Sequence, residues 1–253
     1  MMAEDSAAAP GDPTALITGG ARRIGAHVAR RLHGEGWRVL IHCRHSRTEA
    51  DALAAELNAD RPGSATVISG DLADPDACTA VAEQAIAVHG RLDLLVNNAS
   101  SFYPTPVGSI TADQFDDLMA SNLRAPVFLA QAAAPALRAA RGAIINLADI
   151  HGQRPLADHP VYCAAKAGLI MLTRVLAKDL APEVRVNAIA PGSILWPEGP
   201  GGADPAAQQA ILDTTPLARQ GAPDDIAGAL LYLVRDAPFV TGQVLAVDGG
   251  RGL

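Results

Sequence analysis

The chain alternates short apolar runs with helical stretches along almost its whole length, and that alternation leaves few folds open. Residues 14–18, 37–42, 65–68, 92–96, 143–147, 184–189 and 243–247 are short apolar runs and read as strands. Between them, residues 24–33, 48–58, 74–89, 111–138, 160–180 and 223–234 carry helical spacing. Continuous apolar strands separated by helices imply a parallel sheet covered on both faces. The expected architecture is therefore single-domain α/β, a doubly wound parallel sheet of about seven strands. Asp74 is expected to cap the third helix, with Pro75 just inside it. The stretch 111–138 reads as one long helix or two, with Pro126 as a candidate kink.

No composition shift marks a second domain, so residues 13–253 read as one unit. Residues 1–12, rich in Ala, Pro and acids, read as a disordered tail rather than a signal peptide. The Gly- and Pro-rich stretch 191–204 reads either as a substrate lid or as a plain surface loop. The formal net charge of -7 argues against nucleic acid or an anionic membrane as a general partner, and leaves room for a local basic pocket. Cys43, Cys78 and Cys163 have neither metal-ligand spacing nor an even disulfide set, which suits reduced thiols in a cytoplasmic setting and no bound metal. No run approaches the ~18 apolar residues of a membrane span.

Chemistry-bearing residues gather where strands end. After the first strand come Thr18, Gly19 and Gly20, then Arg23, Ile24 and Gly25 at a helix start. Glycines there let the backbone approach a pyrophosphate, which a helix N-terminus favours. Arg23 stands where a middle glycine is usual. After the second strand, His42, Arg44, His45, Ser46 and Arg47 precede the first acid, Glu49. Such a cluster suits a ribose 2′-phosphate, and so NADPH; a solvated basic loop is the alternative. Asp71, before Leu72, reads as an acceptor for an adenine amino group or as a local cap. Asn97, Asn98, Ala99, Ser100, Ser101, Phe102 and Tyr103 follow the fourth strand, where small polar groups can border a nicotinamide and a ring can stack on a flat ligand. Asn122 reads as a proton relay or as a cap on buried backbone.

Tyr162 and Lys166 lie four apart, on one face of a helix. An ammonium near the phenol is expected to lower its pKa from about 10, so that a proton can move beside a hydride transfer. Alone, this spacing is common on helices.

Taken in order, these motifs resemble the short-chain dehydrogenase/reductase family from about residue 14 to residue 250. The resemblance rests on Thr18 to Gly25, Asn97-Asn98-Ala99, Asn122, Tyr162 with Lys166, Pro191-Gly192 and Val247-Asp248-Gly249-Gly250. It implies a Rossmann fold and an Asn, Ser, Tyr, Lys catalytic set. One position departs. The family's Ser, thirteen residues before the Tyr, is Asp149 here. An ionised carboxylate cannot donate to a carbonyl; it suits a ligand with N–H groups.

A subgroup carrying this Asp, the pteridine reductases, is also similar at Arg23, along Asn98 to Pro106 and in part along Arg44 to Arg47. Its bacterial members are similar from Pro191 to Glu198 as well. This resemblance implies NADPH-dependent reduction of a pterin by Asp149, Tyr162, Lys166 and Asn122. It implies cofactor contacts from Gly19, Arg23, Ile24, Gly25, Arg44, His45, Ser46, Asp71, Leu72, Asn98, Ala99, Ser100, Tyr162, Lys166, Pro191, Gly192, Ser193 and Ile194. Arg23, Ser100, Phe102, Asp149, Tyr162 and Trp196 would face the substrate. A homotetramer is implied too, with Val127, Phe128, Leu169, Leu172 and Leu176 as candidate interface residues and Arg251 reaching towards a neighbouring site. A ketone or 3-oxoacyl reductase of the same family, or a silent NADP-binding regulatory protein, are the competing readings.

Overall fold

In the computed structural model, which describes residues 11–196 and 204–253, the seven apolar runs pair into one sheet. Its strands are β1 (Thr14–Ile17), β2 (Arg38–Cys43), β3 (Ala65–Ser69), β4 (Leu94–Asn97), β5 (Ala143–Leu147), β6 (Arg185–Pro191) and β7 (Val244–Val247). All pairings are parallel, in the order β3-β2-β1-β4-β5-β6-β7. The order reverses between β1 and β4, and in such sheets ligands bind outside the carboxyl ends of the strands at that point.

Alternation along the strands divides the apolar residues between two cores. Ala15, Ile17, Val39, Ile41, Leu94 and Val96 face α1 (Arg23–Gly34), α2 (Arg47–Asp60) and α8 (Pro223–Leu231). Leu16, Leu40 and Leu95 face α3 (Pro75–His89) and α5 (Ala125–Ala140) on the other side. Each buried Leu or Ile contributes roughly 1.5–3 kcal/mol relative to exposure. α3 starts as expected: the Asp74 carboxylate accepts from Asp76 N–H, and Pro75 occupies the first turn.

The structure sharpens the sequence reading at three places. The stretch 111–138 is two helices rather than one. It divides into α4 (Ala112–Met119), a π-helical turn at Ala120–Arg124, and α5. Pro126 lies in the first turn of α5, directly after the π-helical turn, where the backbone register already departs from regular α-helical bonding. A further helix, α7 (Pro205–Asp213), follows the Gly- and Pro-rich stretch; Asp204 caps it by accepting from Ala207 N–H. Gly11 and Asp12 are tied down rather than loose: the Asp12 carboxylate pairs with Arg38 and Arg61, and the Gly11 carbonyl accepts from Arg91. The remainder of the expected tail, residues 1–10, and lid residues 197–203 lie outside the described residues.

α6 (Pro160–Asp179) is long and apolar enough to cross a membrane by length and mean hydropathy alone, although Lys166 and Arg174 interrupt its apolar run. It packs instead against β6 and buries Val161, Tyr162, Lys166, Leu169, Ile170 and Thr173.

Candidate active site

The glycine turn is held from three sides. Gly19 adopts φ +59°, which suits glycine. A Cβ on Gly25 would collide with the Gly19 carbonyl and with the Asn98 side chain, so only glycine fits there. The Thr18 hydroxyl accepts from Asn98 N–H (2.9 Å) and Ala99 N–H (3.0 Å) and donates to the Val96 carbonyl (3.2 Å). Asn98 Nδ2 donates to the carbonyls of Thr18 (2.8 Å) and Gly19 (3.1 Å). Asn98 thus latches the turn with its side chain. Ala99 and Ile24 pack partly buried against the two cores, and Leu72 is a core residue beneath α3.

Arg23 occupies the turn with φ +52°. Its guanidinium reaches across the site and donates to the carbonyls of Leu195 (3.3 Å) and Trp196 (3.3 Å). This joins the turn to the first residues after β6.

The basic cluster after β2 resolves into residues with different tasks. His42 is buried, with both ring nitrogens bonded inside the protein, so it is no phosphate ligand. Arg47 is held by Asp51 (2.8 Å) and Ser69 (3.4 Å). Arg44 and His45 are exposed, and Ser46 precedes the first turn of α2. Arg44 pairs with Asp71 at 3.0 Å. Asp71 Oδ1 also accepts from Ala73 N–H (3.0 Å), so of its two readings the local cap is present in the geometry. A Gly-lined turn that no Cβ may enter, followed by an exposed guanidinium at the next strand end, fits a phosphorylated dinucleotide.

On the other side of the seam, β4, β5 and α6 bring the reactive groups together. Lys166 is 3% exposed, and its Nζ donates to the Leu147 carbonyl at 2.8 Å. Burial lowers its pKa to about 8, against a smaller upward pull from Asp149. The Tyr162 hydroxyl donates to Asp149 Oδ2 at 2.8 Å, while Asp149 Oδ1 accepts from His151 N–H at 2.8 Å. Here the sequence expectation is overturned. The Tyr162 phenol is held well above its usual pKa, by burial first and then by the Asp149 charge. Lys166 lies over the tyrosine ring, 5.7 Å from its centre, and makes its hydrogen bond to the backbone. Burial and Asp149 therefore keep the proton on the phenol.

Asn122 is almost fully buried in the π-helical turn. Its amide donates to the carbonyls of Ser101 (2.9 Å) and Leu118 (2.9 Å) and accepts from the Ser100 hydroxyl (2.6 Å). Capping of buried backbone, the plainer of its two readings, is what these bonds do. Ser100, beside the phenol, favours its ionisation against the larger effects of burial and Asp149.

Phe102 is 47% exposed. It stacks on His159 (4.8 Å, 12°) and meets the Tyr162 ring edge-on (4.8 Å, 77°). Pro191 ends β6, and a Cβ on Gly192 would meet the Asp248 backbone at 2.7 Å. The Ser193 hydroxyl accepts from Arg251 of the same chain at 2.7 Å, and Ile194 is buried. Arg251, expected to reach towards a neighbour, thus has a partner within its own subunit. Of the candidate interface residues, Leu169 is core and Phe128 and Leu176 pack partly buried, while Met171 and Val175 are the exposed apolar residues of α6.

His42, His159 and Thr18 were not singled out for these tasks. Thr18 carries a signal in retrospect, as the last polar residue of an apolar run. His159 carries none, because its stacking partner is distant in sequence. Among the described residues no group of His, Cys, Asp or Glu could hold a metal ion.

A doubly wound parallel sheet, a glycine turn at its switch point and a Tyr–Lys pair beside it define a nicotinamide-dependent oxidoreductase. The chain belongs to the short-chain dehydrogenase/reductase family: residues 19–251 match a family model described as enoyl-(acyl carrier protein) reductase. It is 36% identical over 251 residues to a granaticin polyketide synthase putative ketoacyl reductase of Streptomyces violaceoruber, covering 97% of this chain and 98% of that one. It is 33% identical over 285 residues to pteridine reductase 1 of Leishmania tarentolae, covering 96% and 98%. It is 35% identical over 240 residues to a 3-oxoacyl-(acyl-carrier-protein) reductase of Staphylococcus aureus, covering 94% and 97%.

Proposed function

We propose that this oxidoreductase reduces the ring of a pterin, taking a dihydropterin to a tetrahydropterin, with NADPH as the preferred cofactor. The reading is carried by one observation: the group bonded to the Tyr162 hydroxyl is a carboxylate, Asp149, at 2.8 Å. A carboxylate attracts the N–H groups of a pterin and repels the negative oxygen that a ketone develops on reduction. The exposed face of Phe102 beside Tyr162 supports a flat substrate.

When bound, the cofactor supplies a hydride to a ring carbon. Tyr162, kept protonated by burial and by Asp149, delivers the proton to the adjacent ring nitrogen, so that C=N becomes CH–NH and the phenol is left ionised. Ser100 beside the phenol favours that ionised form, and so does the Lys166 charge nearby. The phenol then regains its proton from solvent. Arg44, exposed beside Asp71 at the end of β2, supports the 2′-phosphate and so NADPH over NADH. Dihydrofolate and oxidised pterins belong to the same substrate class. Cytoplasmic location and a homotetramer remain parts of this proposal, the exposed Met171 and Val175 of α6 being suited to self-association.

A second reading has specific support. The ketoacyl reductases are as similar to this chain as the pteridine reductase is, at 36% and 35% against 33%. The deciding experiment follows NADPH oxidation by absorbance with dihydrobiopterin, dihydromonapterin, dihydrofolate and a 3-oxoacyl thioester. Turnover of a pterin is expected. Turnover of the thioester alone would replace this reading with the second, and cofactor binding without any turnover would favour a silent binding protein.

A further inference from the structure

His42 is 2% exposed in the middle of the cofactor half of the sheet. Gly19 N–H donates to its Nδ1 at 3.2 Å, and its Nε2 faces the Gly70 carbonyl at 3.1 Å. Its own carbonyl accepts from Gly20 N–H at 2.9 Å. An amide N–H can only donate, so Nδ1 must be a bare acceptor; a carbonyl can only accept, so Nε2 must carry the proton. Both bonds are satisfied by one tautomer of the neutral ring and by no other form.

We infer that His42 is a positioning residue for the dinucleotide: its neutral Nε2–H tautomer clamps Gly19 and Gly20 in the shape that receives the pyrophosphate. This rests on reading the glycine turn as a nicotinamide-cofactor cradle and is independent of which substrate is reduced.

Two consecutive amides of the turn are spent on one residue, the first on the ring and the second on the carbonyl. The turn is thereby fixed against β2 before any ligand arrives, and the entropy of ordering it is removed from the binding step. Protonation would place an N–H against the Gly19 N–H and undo the clamp. Burial opposes that protonation and lowers the His42 pKa, against weaker upward pulls from the Gly70 carbonyl and from Asp71. The charged groups around it are Asp71, after β3, and Arg44, just past the end of β2, which pair with each other; the glycine turn brings only backbone.

The test is cofactor binding to the full-length protein, followed by the fluorescence of reduced nicotinamide, so that it reads out without turnover. Asn at this position places its amide oxygen near Nδ1 and keeps the Gly19 acceptor; Gln places its amide near Nε2 and keeps only the Gly70 donor. His42→Gln is expected to weaken NADPH about tenfold at neutral pH, and His42→Asn by less than about twofold. Wild-type affinity is expected to fall on the acid side of the ordinary histidine range in excess of any fall in His42→Asn, which retains every other titrating group. Equal affinities of the Gln and Asn variants, or parallel pH profiles of wild type and His42→Asn, would overturn the inference. Should the variants not fold, nitrogen-15 spectra of the wild-type imidazole decide: the neutral Nε2–H tautomer is expected at neutral pH, and the Nδ1–H tautomer or the imidazolium would refute the clamp. Absence of pterin turnover leaves each of these readouts intact.

Discussion

The Tyr162 hydroxyl donates to Oδ2 of Asp149, thirteen residues earlier, at 2.8 Å. A proton donor is thus paired with a fixed negative charge, in a site where the family's usual partner is a neutral hydroxyl. The charge adds to burial in holding the phenol in its acid form, so Asp149→Asn should let Tyr162 ionise at lower pH. Ultraviolet titration of tyrosinate, with Tyr162→Phe as the subtraction, measures it; an unchanged midpoint would mean that burial alone sets the phenol.

The same carboxylate governs what the site accepts. Asp149→Ser is expected to reduce pterin turnover about a hundredfold and to raise turnover of ketones, because a hydroxyl can donate to a carbonyl oxygen. Parallel assays on one pterin and one ketone check this, and a fall on both would place the role of Asp149 in structure.

Lys166 is costly to bury. Its pKa falls from the usual 10.5 to about 8, so the unfolded chain binds the lysine proton more tightly than the folded one. The cost is fully present below pH 8 and is relieved as pH rises from about 8 towards 10.5. Lys166→Met should therefore stabilise the fold near neutral pH, on the order of 2 kcal/mol, while nearly abolishing activity. Thermal melts across that pH range test it: the variant's advantage should shrink as the pH rises.

Arg44→Asp combined with His45→Ala should weaken NADPH at least tenfold more than NADH, because a charged hydrogen bond to the 2′-phosphate is replaced by repulsion. Equal loss for the two cofactors in a binding titration would locate the phosphate elsewhere.

Gly25→Ala should destroy cofactor binding and destabilise the protein by about 1–3 kcal/mol, since its Cβ meets the Gly19 carbonyl and the Asn98 amide. A soluble variant with wild-type affinity would show that the turn can yield.

Much of this layout is legible in the chain. Seven apolar runs gave seven strands, because strands buried on both faces leave a strong signal. The start of α3 was legible because Asp74-Pro75 states a cap chemically. That 111–138 holds one helix or two was left open by the sequence, and the π-helical turn between the two was not legible, since such a turn carries no composition of its own. α7 was hidden behind Gly- and Pro-rich sequence. At the site, Tyr162 and Lys166 could be paired from spacing, but the direction of the phenol's shift could not. That direction depends on burial and on how Asp149 Oδ2 is aimed, both products of tertiary packing. For the same reason His42 looked like one more member of a basic cluster.

The Thr18 hydroxyl, bonded at once to β4 and to the two residues beyond it, has a consequence for redesign. It welds the floor under the pyrophosphate to the segment leading to Ser100 and Phe102. Changes made on that weld will alter cofactor and substrate preference together. The free end of β2, where Arg44 stands exposed and clear of it, is the place where cofactor choice can be rewritten while the reacting groups stay where they are.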